Sequence, residues 1–163
     1  MPDTNIELTS TISEGNKLEL ALREIEIPQP GENQVVIRVE AAPINPSDLG
    51  VMFSVADMAT ARQSGSADRP VVSADIPAKF MGAVKKRLGK SIPVGNEGAG
   101  TVVAAGSSAA AQSLMGKTVA FIGGGSYRKY LCANVQSCLE LEPGTTAVEG
   151  ASSFVNPLTA LAW

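Results

Sequence analysis

The stretch Ser91–Val102, SIPVGNEGAGTV, restricts what this chain can fold into more than any other segment. Three glycines, Gly95, Gly98 and Gly100, fall within six residues, and Thr101, Val102 and Val103 follow at once. Glycines permit a turn that wraps a phosphate or a strand that bends, and the residues after them decide between the two. A dinucleotide fingerprint needs G-x-G-x-x-G opening a helix after a strand. Gly98-Ala99-Gly100 has no third glycine in register, and the β-branched run behind it is a poor helix start. The G-x-x-x-x-G-K-[ST] pattern is absent as well, and Gly123-Gly124-Gly125 lies between two strand-like runs, where it reads as a hairpin turn. The stretch is therefore read as a glycine-bent entry into a curved sheet, not as a phosphate cradle.

The segments around it are mostly strand-like. KLELALREIEI (17–27) and QVVIRVEAAPI (34–44) alternate in polarity, and PQPGEN between them is a turn, so the two are expected to pair as a hairpin. NPSDLGVMF (45–53) carries helix-start signals: an Asn or Ser cap, a proline in the first turn and an early aspartate. Residues 54–91 are expected to form a helical insertion. SVADMATARQSGSADRP gives a short helix ending at Ser64-Gly65, and in IPAKFMGAVKKRLGK apolar residues Ile76, Phe80, Val84 and Leu88 recur every fourth position before Gly89. KTVAFIG (117–123) and YRKYLCANV (127–135) are read as strands joined by the GGGS turn, SCLELEPG (137–144) as a short strand, and residues 147–163 as helical. The expected fold class is mainly β with short helices, α+β. The apolar helical run is cut at Trp163, which predicts a longer protein.

Composition narrows the chemistry. The 163 residues suffice for one domain with a core, and the net charge of −3 gives no reason to expect nucleic-acid binding. The polar start MPDTNIELTSTISEGNK has no apolar signal-peptide region, and nowhere do 18 apolar residues run together; no membrane partner and a cytoplasmic location are expected. There is no histidine, so a Ser-His-Asp or Cys-His mechanism cannot be assembled from this chain, and a zinc site would have to rely on carboxylates. Cys132 and Cys138 lack C-x-x-C spacing and are read as reduced core thiols.

AAPINPSDLG, PVGNEGAGTVVAAGS, LMGKTVAFIGGGSYRKYLC and FVNPLTALA, in this order and spacing, resemble the medium-chain dehydrogenase/reductase superfamily, and within it the zinc-independent quinone oxidoreductase and enoyl reductase branch. The resemblance runs from about Lys17 to Trp163 and is poorest over 54–91. It implies a GroES-like catalytic domain, a partly open β-barrel, over residues 1–150. Residues 151–163 would begin a linking helix towards a Rossmann domain that this chain does not contain. It implies a parent enzyme that transfers hydride from NADPH (or NADH) to a quinone, enone or enoyl thioester, a small-molecule partner; a homodimer is expected as well, through surface left bare by the missing segments. Zinc-dependent members carry GHE where this chain has Gly95-Asn96-Glu97, and their first cysteine ligand falls at Asn45, so no zinc is expected. The alternative is a stand-alone GroES-like scaffold or self-association module without catalysis.

Carried over residue by residue, the resemblance places Asn45 and Asp48 of N-P-x-D near nicotinamide and substrate, as catalytic candidates, with Asn45 also touching the cofactor. Both are equally read as caps of the helix that begins at Pro46. Asn156 and Thr159 of NPLTA are implied on the cofactor side, and Asn156-Pro157 is also read as a helix start. Glu97 is read as a buried, structural hydrogen-bonding carboxylate. Relatives often carry a proton-donating tyrosine shortly after N-P-x-D; LGVMFSVADM has none, and Tyr127 and Tyr130 are read as strand residues packing a barrel. Lys79, Lys85, Lys86, Arg87 and Lys90 form a basic patch, read as a solvated helix face or as attraction for a phosphorylated ligand.

Overall fold

The structure, a computed structural model, describes residues 4–162; Trp163, the expected end of the last helix, lies outside them. Among the described residues ten strands form two five-stranded antiparallel sheets, and the helices are short. The first sheet has the order β4-β5-β2-β1-β6, built from β1 (Asn5–Ile12), β2 (Lys17–Ile25), β4 (Asp57–Gly65), β5 (Pro70–Asp75) and β6 (Ser91–Pro93). The second has the order β10-β8-β7-β3-β9, from β3 (Gln34–Ala41), β7 (Glu97–Ala105), β8 (Thr118–Ile122), β9 (Tyr130–Asn134) and β10 (Cys138–Glu140). This sheet curls into a half-barrel, as the mainly β, GroES-like expectation required.

The glycine stretch is part of the curl. Gly98 and Gly100 sit inside β7, paired with Phe121 and Val119 of β8 on one side, and Gly100 with Val39 of β3 on the other. A Cβ on Gly100 would strike the Arg38 carbonyl, and one on Gly98 would come within 2.8 Å of the Phe121 ring and 2.9 Å of the Ala41 carbonyl. The β3–β7 register slips at Val36/Ile37 and again at Val39/Ala41, the irregularities that bend a sheet. Inside the half-barrel Val35, Ile37, Val102, Val119 and Phe121 are buried almost completely. A second core forms where Ile12, Leu18 and Leu20 of the first sheet meet Met52, Ile76 and Val84.

Among the described residues five α-helices complete the fold: α1 (Pro46–Phe53), α2 (Met81–Val84), α3 (Ala109–Ser113), α4 (Ala147–Gly150) and α5 (Val155–Leu161). Several expectations fail here. β2 does not pair with β3; it lies between β1 and β5 in the other sheet. β8 and β9 are not a hairpin either, since β8 pairs with β7 and β10, and β9 pairs with β3. The supposed first helix of 54–91 is the β4–β5 hairpin, turning through Gly65 at φ +80, where a Cβ would strike the Arg69 carbonyl. The supposed second helix shrinks to α2 flanked by 3-10 turns at Ala78–Phe80 and Lys85–Arg87, and Gly89 does end it at φ +69.

β1, to which no element was assigned, joins the two sheets. Its Leu8 N–H donates to the Tyr127 carbonyl, and its Ile6 carbonyl accepts the Lys129 N–H. The Asn5 side chain extends the pairing by mimicking a peptide group: Nδ2 donates to the Tyr130 carbonyl at 2.7 Å and Oδ1 accepts the Tyr130 N–H at 2.9 Å. Glu7 and Arg128 form a largely buried ion pair beside it, 2.8 Å apart. No helix among the described residues is long and apolar enough to cross a membrane.

Candidate functional site

Three segments far apart in sequence meet at the start of α1. Beyond β3 the chain turns through Pro43 and Ile44, and Asn45 enters the helix as its N-cap with extended backbone and Pro46 behind it. The Asp48 carboxylate reaches back, and Oδ2 accepts the Asn45 N–H at 2.8 Å, so the capping reading holds for Asp48, while Asn45 holds the cap position without a side-chain bond to the helix. The Asn45 carboxamide is engaged in two further bonds. Nδ2 donates to Glu97 Oε1 at 3.0 Å, and Oδ1 accepts from Asn156 Nδ2 at 3.2 Å. Glu97 opens β7 and is fully buried; its other oxygen, Oε2, accepts the Phe154 and Val155 N–H groups at 2.9 and 3.0 Å. One carboxylate thus ties the half-barrel to α1 and to the first turn of α5.

No cation lies within ion-pair distance of Glu97 among the described residues. Its charge is held by three N–H donors, the arrangement that makes burial of an unpaired carboxylate tolerable. Asp48 is as deeply buried as Asn45, and its Oδ1 has no partner among the described residues. Its Oδ2 also lies 3.0 Å from the Tyr127 hydroxyl, which is 2.8 Å from the Pro43 carbonyl. Tyr127 is therefore not a barrel strand residue but sits in the loop before β9 with its phenol turned to α1. Burial first, then the Asp48 hydrogen bond and charge, push this phenol well above its ordinary pKa and keep it protonated. Tyr130 is a buried residue of β9, as expected.

The polar groups that face outward differ from the candidates drawn from the sequence. Asn45, Asp48 and Glu97 are buried. Ser47 is exposed and Asn96 half-buried, and Asn96 Nδ2 donates to Ser47 Oγ at 2.9 Å. Asn156 is exposed too, within α5 rather than at its cap, because Phe154 holds the cap position. The structure brings Asn45, Asp48 and Asn156 together. It does not bring Thr159 to them: that hydroxyl is exposed further along α5 and donates to the Val155 carbonyl at 2.6 Å. Two residues were missed. Ser47 was hidden as the variable position of N-P-x-D, and Tyr127 stands 79 residues from Asp48, a separation no spacing rule covers.

Beside this junction opens an apolar hollow of about 410 Å³, lined by Leu8, Leu22, Ala42, Ile44, Met52 and Tyr127. The basic patch is divided. Arg87 turns inward, where Nη2 donates to Ser10 Oγ at 2.9 Å and to the Val51 carbonyl at 3.0 Å, leaving the lysines outside. Ser10 Oγ donates in turn to the Met52 carbonyl, so both side chains hold the C-terminal carbonyls of α1. No group of three or more His, Cys, Asp or Glu side chains gathers among the described residues.

Residues 31–143 match the family model of the alcohol dehydrogenase GroES-like domain. A search of curated proteins by sequence finds no match. Among solved structures, a protein from Mesorhizobium loti assigned as an NADPH:quinone reductase is 29% identical, with a TM-score of 0.65 over 99% of this chain and 43% of its own. A Bacillus thuringiensis protein with the same assignment is 23% identical, with a TM-score of 0.62 over 97% of this chain and 40% of its own. The enoyl reductase CurK is 18% identical, with a TM-score of 0.65 over 97% and 41%. The chain thus spans about two fifths of the length of the solved structures it matches.

Proposed function

Because the chain belongs to the alcohol dehydrogenase GroES-like domain family, within the medium-chain dehydrogenase/reductase superfamily, we propose that it forms the substrate-facing part of a zinc-independent NAD(P)H-dependent reductase. Residues 1–150 are its catalytic domain and 151–163 the start of the helix leading to a nucleotide-binding domain. The acceptors are quinones, enones or enoyl thioesters. The observation that carries this reading is the apolar hollow opening beside a buried polar junction. Such a lining suits a flat, electron-poor carbonyl compound and does not suit a polyol or a sugar.

The residues present fit one end of the cofactor. The outward Ser47, Asn96, Asn156 and Thr159 side chains are uncharged amides and hydroxyls, suited to a carboxamide or a carbonyl. The glycines of β7 are consumed by strand pairing and close backbone approach, so they offer no cradle for a pyrophosphate. When bound, the cofactor supplies a hydride, and the acceptor gains that hydride and a solvent proton. Asn45 and Asp48 fix the mouth of α1, Glu97 fixes α5 against it, and Asn156 and Thr159 of α5 would hold the nicotinamide. The donor set fits zinc poorly, because the sequence has no histidine and carboxamides stand at positions 45 and 96.

The full-length protein is expected to oxidise NADPH with naphthoquinone or an enone, and to do so equally after treatment with phenanthroline. No turnover across a broad panel of quinones, enones and enoyl thioesters, or activity only on adding zinc, overturns the reading. NADPH and NADH are compared in the same assay.

A further inference from the structure

We propose that the turn carrying Lys85, Lys86 and Arg87 is an anion site beside the apolar hollow, with Arg87 as its fixed contact, and that it takes a phosphate-bearing group. The proposal rests on the reductase reading and deepens it: the group is the tail of a thioester acceptor or the 2′-phosphate of NADPH. The sequence sets the charge. Five of the thirteen basic residues, Lys79, Lys85, Lys86, Arg87 and Lys90, fall in one segment of a chain whose net charge is −3, and residues 76–96 contain no Asp or Glu. The fold does not bring acids to them. No carboxylate among the described residues lies within ion-pair distance of any of the five.

Arg87 differs from the lysines around it. Lys85 and Lys86 are exposed, whereas Arg87 is half-buried and held in one direction. Nη2 spends its hydrogens on Ser10 Oγ and the Val51 carbonyl, and Nε is buried without a partner. Nη1 makes no bond among the described residues and, unlike Nε, is not closed off from solvent. The helix end that Arg87 caps carries about half an elementary charge, so most of the local positive charge stays uncompensated. Burial without a carboxylate partner holds the guanidinium below its usual pKa. A doubly charged, oxygen-rich anion meets both needs: it accepts from Nη1 and offsets the two lysines of the same turn. The place suits a ligand of the hollow. Ser10, which Arg87 bonds, also bonds the carbonyl of Met52, a lining residue. Leu8, another lining residue, stands two positions before Ser10 on β1 and so on the same face of the sheet.

The experiment uses the full-length protein and two acceptors with one reacting group: crotonyl-coenzyme A, and crotonyl-N-acetylcysteamine, which has no phosphate. Each is run with NADPH and with NADH. A quinone replaces the thioesters if the wild type reduces only quinones, and the two cofactors then carry the comparison. Lys85→Gln with Lys86→Gln removes two exposed charges and no bond seen in the fold; Arg87→Lys keeps the charge and gives up the planar donor. Both variants are expected to lower kcat/KM for the phosphate-bearing ligand by at least about tenfold, mainly through KM, and to leave crotonyl-N-acetylcysteamine with NADH within about twofold. Added salt should narrow the difference. A loss that follows coenzyme A assigns the site to the acceptor's tail, and a loss that follows NADPH assigns it to the 2′-phosphate. Losses below about twofold throughout, or equal losses in every combination, overturn the site and leave the reductase reading standing. Pyrophosphate binding, measured by calorimetry on the same proteins, separates the two readings. A wild type that reduces no acceptor but binds pyrophosphate, with binding weakened in both variants, keeps the site and overturns the reductase; neither turnover nor binding overturns both.

Discussion

Replacing Glu97 by glutamine tests whether the buried carboxylate holds the junction or merely survives there. The exchange keeps shape and removes charge. Glu97 accepts one N–H on Oε1 and two on Oε2. A glutamine has one carbonyl oxygen and one NH₂, so with its neighbours as they stand a donor faces a donor in either orientation. With the oxygen turned to α5, Asn45 Nδ2 keeps a partner only if the Asn45 carboxamide turns over and the exposed Asn156 carboxamide turns with it. That double turn spares an orphaned donor, so the expected cost is the lost charge assistance of three bonds, about 1–3 kcal/mol. The opposing term is desolvation: a carboxylate without a cation is costly to bury, and a neutral amide escapes that cost. The hydrogen bonds win here because all three are well formed, at 2.9–3.0 Å, and the carboxylate that accepts them is fully buried. Urea unfolding at neutral pH should show the midpoint falling with an unchanged slope. At about 2–4 °C per kcal/mol for a chain of this size, melting should drop by roughly 2–12 °C. Hydrogen exchange at the Phe154 and Val155 amides should quicken first. A variant within 0.5 kcal/mol of wild type, or a more stable one, would refute the reasoning by showing that desolvation outweighs the bonds (a threshold of roughly the scatter of surface substitutions).

Three further outcomes follow from particular residues. The folded phenol of Tyr127 titrates above an ordinary phenol, mainly through burial and then through Asp48, so its contribution is complete below about pH 10 and is lost as pH rises past that value. Tyr127→Phe should flatten the alkaline fall in stability, and an equally steep fall would count against it. Burial, with Cys132 nearby, pushes the Cys138 thiol up to about 11, and iodoacetamide at pH 8 should label it at least about tenfold more slowly than a free thiol; labelling at the free rate contradicts the geometry. Ser54 ends α1 at φ 51 and ψ −120, a conformation costly for a side-chain-bearing residue, so Ser54→Gly should raise stability by about 1 kcal/mol in urea, and a loss would show that the hydroxyl outweighs the strain.

What the sequence disclosed depended on whether a residue's reason for being there is local. The glycine stretch was legible because β-branched residues directly after Gly100 fix a strand, and β7 begins at Glu97 and runs through them. N-P-x-D announced a helix start because a cap bonds residues three apart. β1 was invisible for the opposite reason. Asn5, Glu7 and Thr9 point inward on the strand because they bond the Tyr130 backbone, Arg128 and the Ala21 carbonyl, so polarity and burial run against each other. The β4–β5 hairpin misled because β4 lies at a sheet edge and is exposed over most of its length, which leaves no alternation to read, while its Met, Ala, Arg and Gln favour helix. The fourfold spacing of Ile76, Phe80, Val84 and Leu88 misled because Phe80 is exposed while the other three pack on the second core, and tight 3-10 turns break the helix between them.

The site divides along the same line, and the division bears on function. Asn45, Asp48 and Glu97 are the residues a motif exposes, because a helix start and a strand entry require them. The same requirement buries them and occupies the Asn45 and Glu97 groups within the fold. Ser47 and Asn96 stand at positions the fold leaves unconstrained, between a proline and an aspartate and between a glycine and a glutamate. Their side chains enter neither the Asn45–Glu97–Asn156 bonds nor the Asp48 cap, so no local rule marks them in the sequence. The Asn96–Ser47 contact at 2.9 Å joins two such positions 49 residues apart, and it becomes readable only once the fold has brought α1 and β7 together.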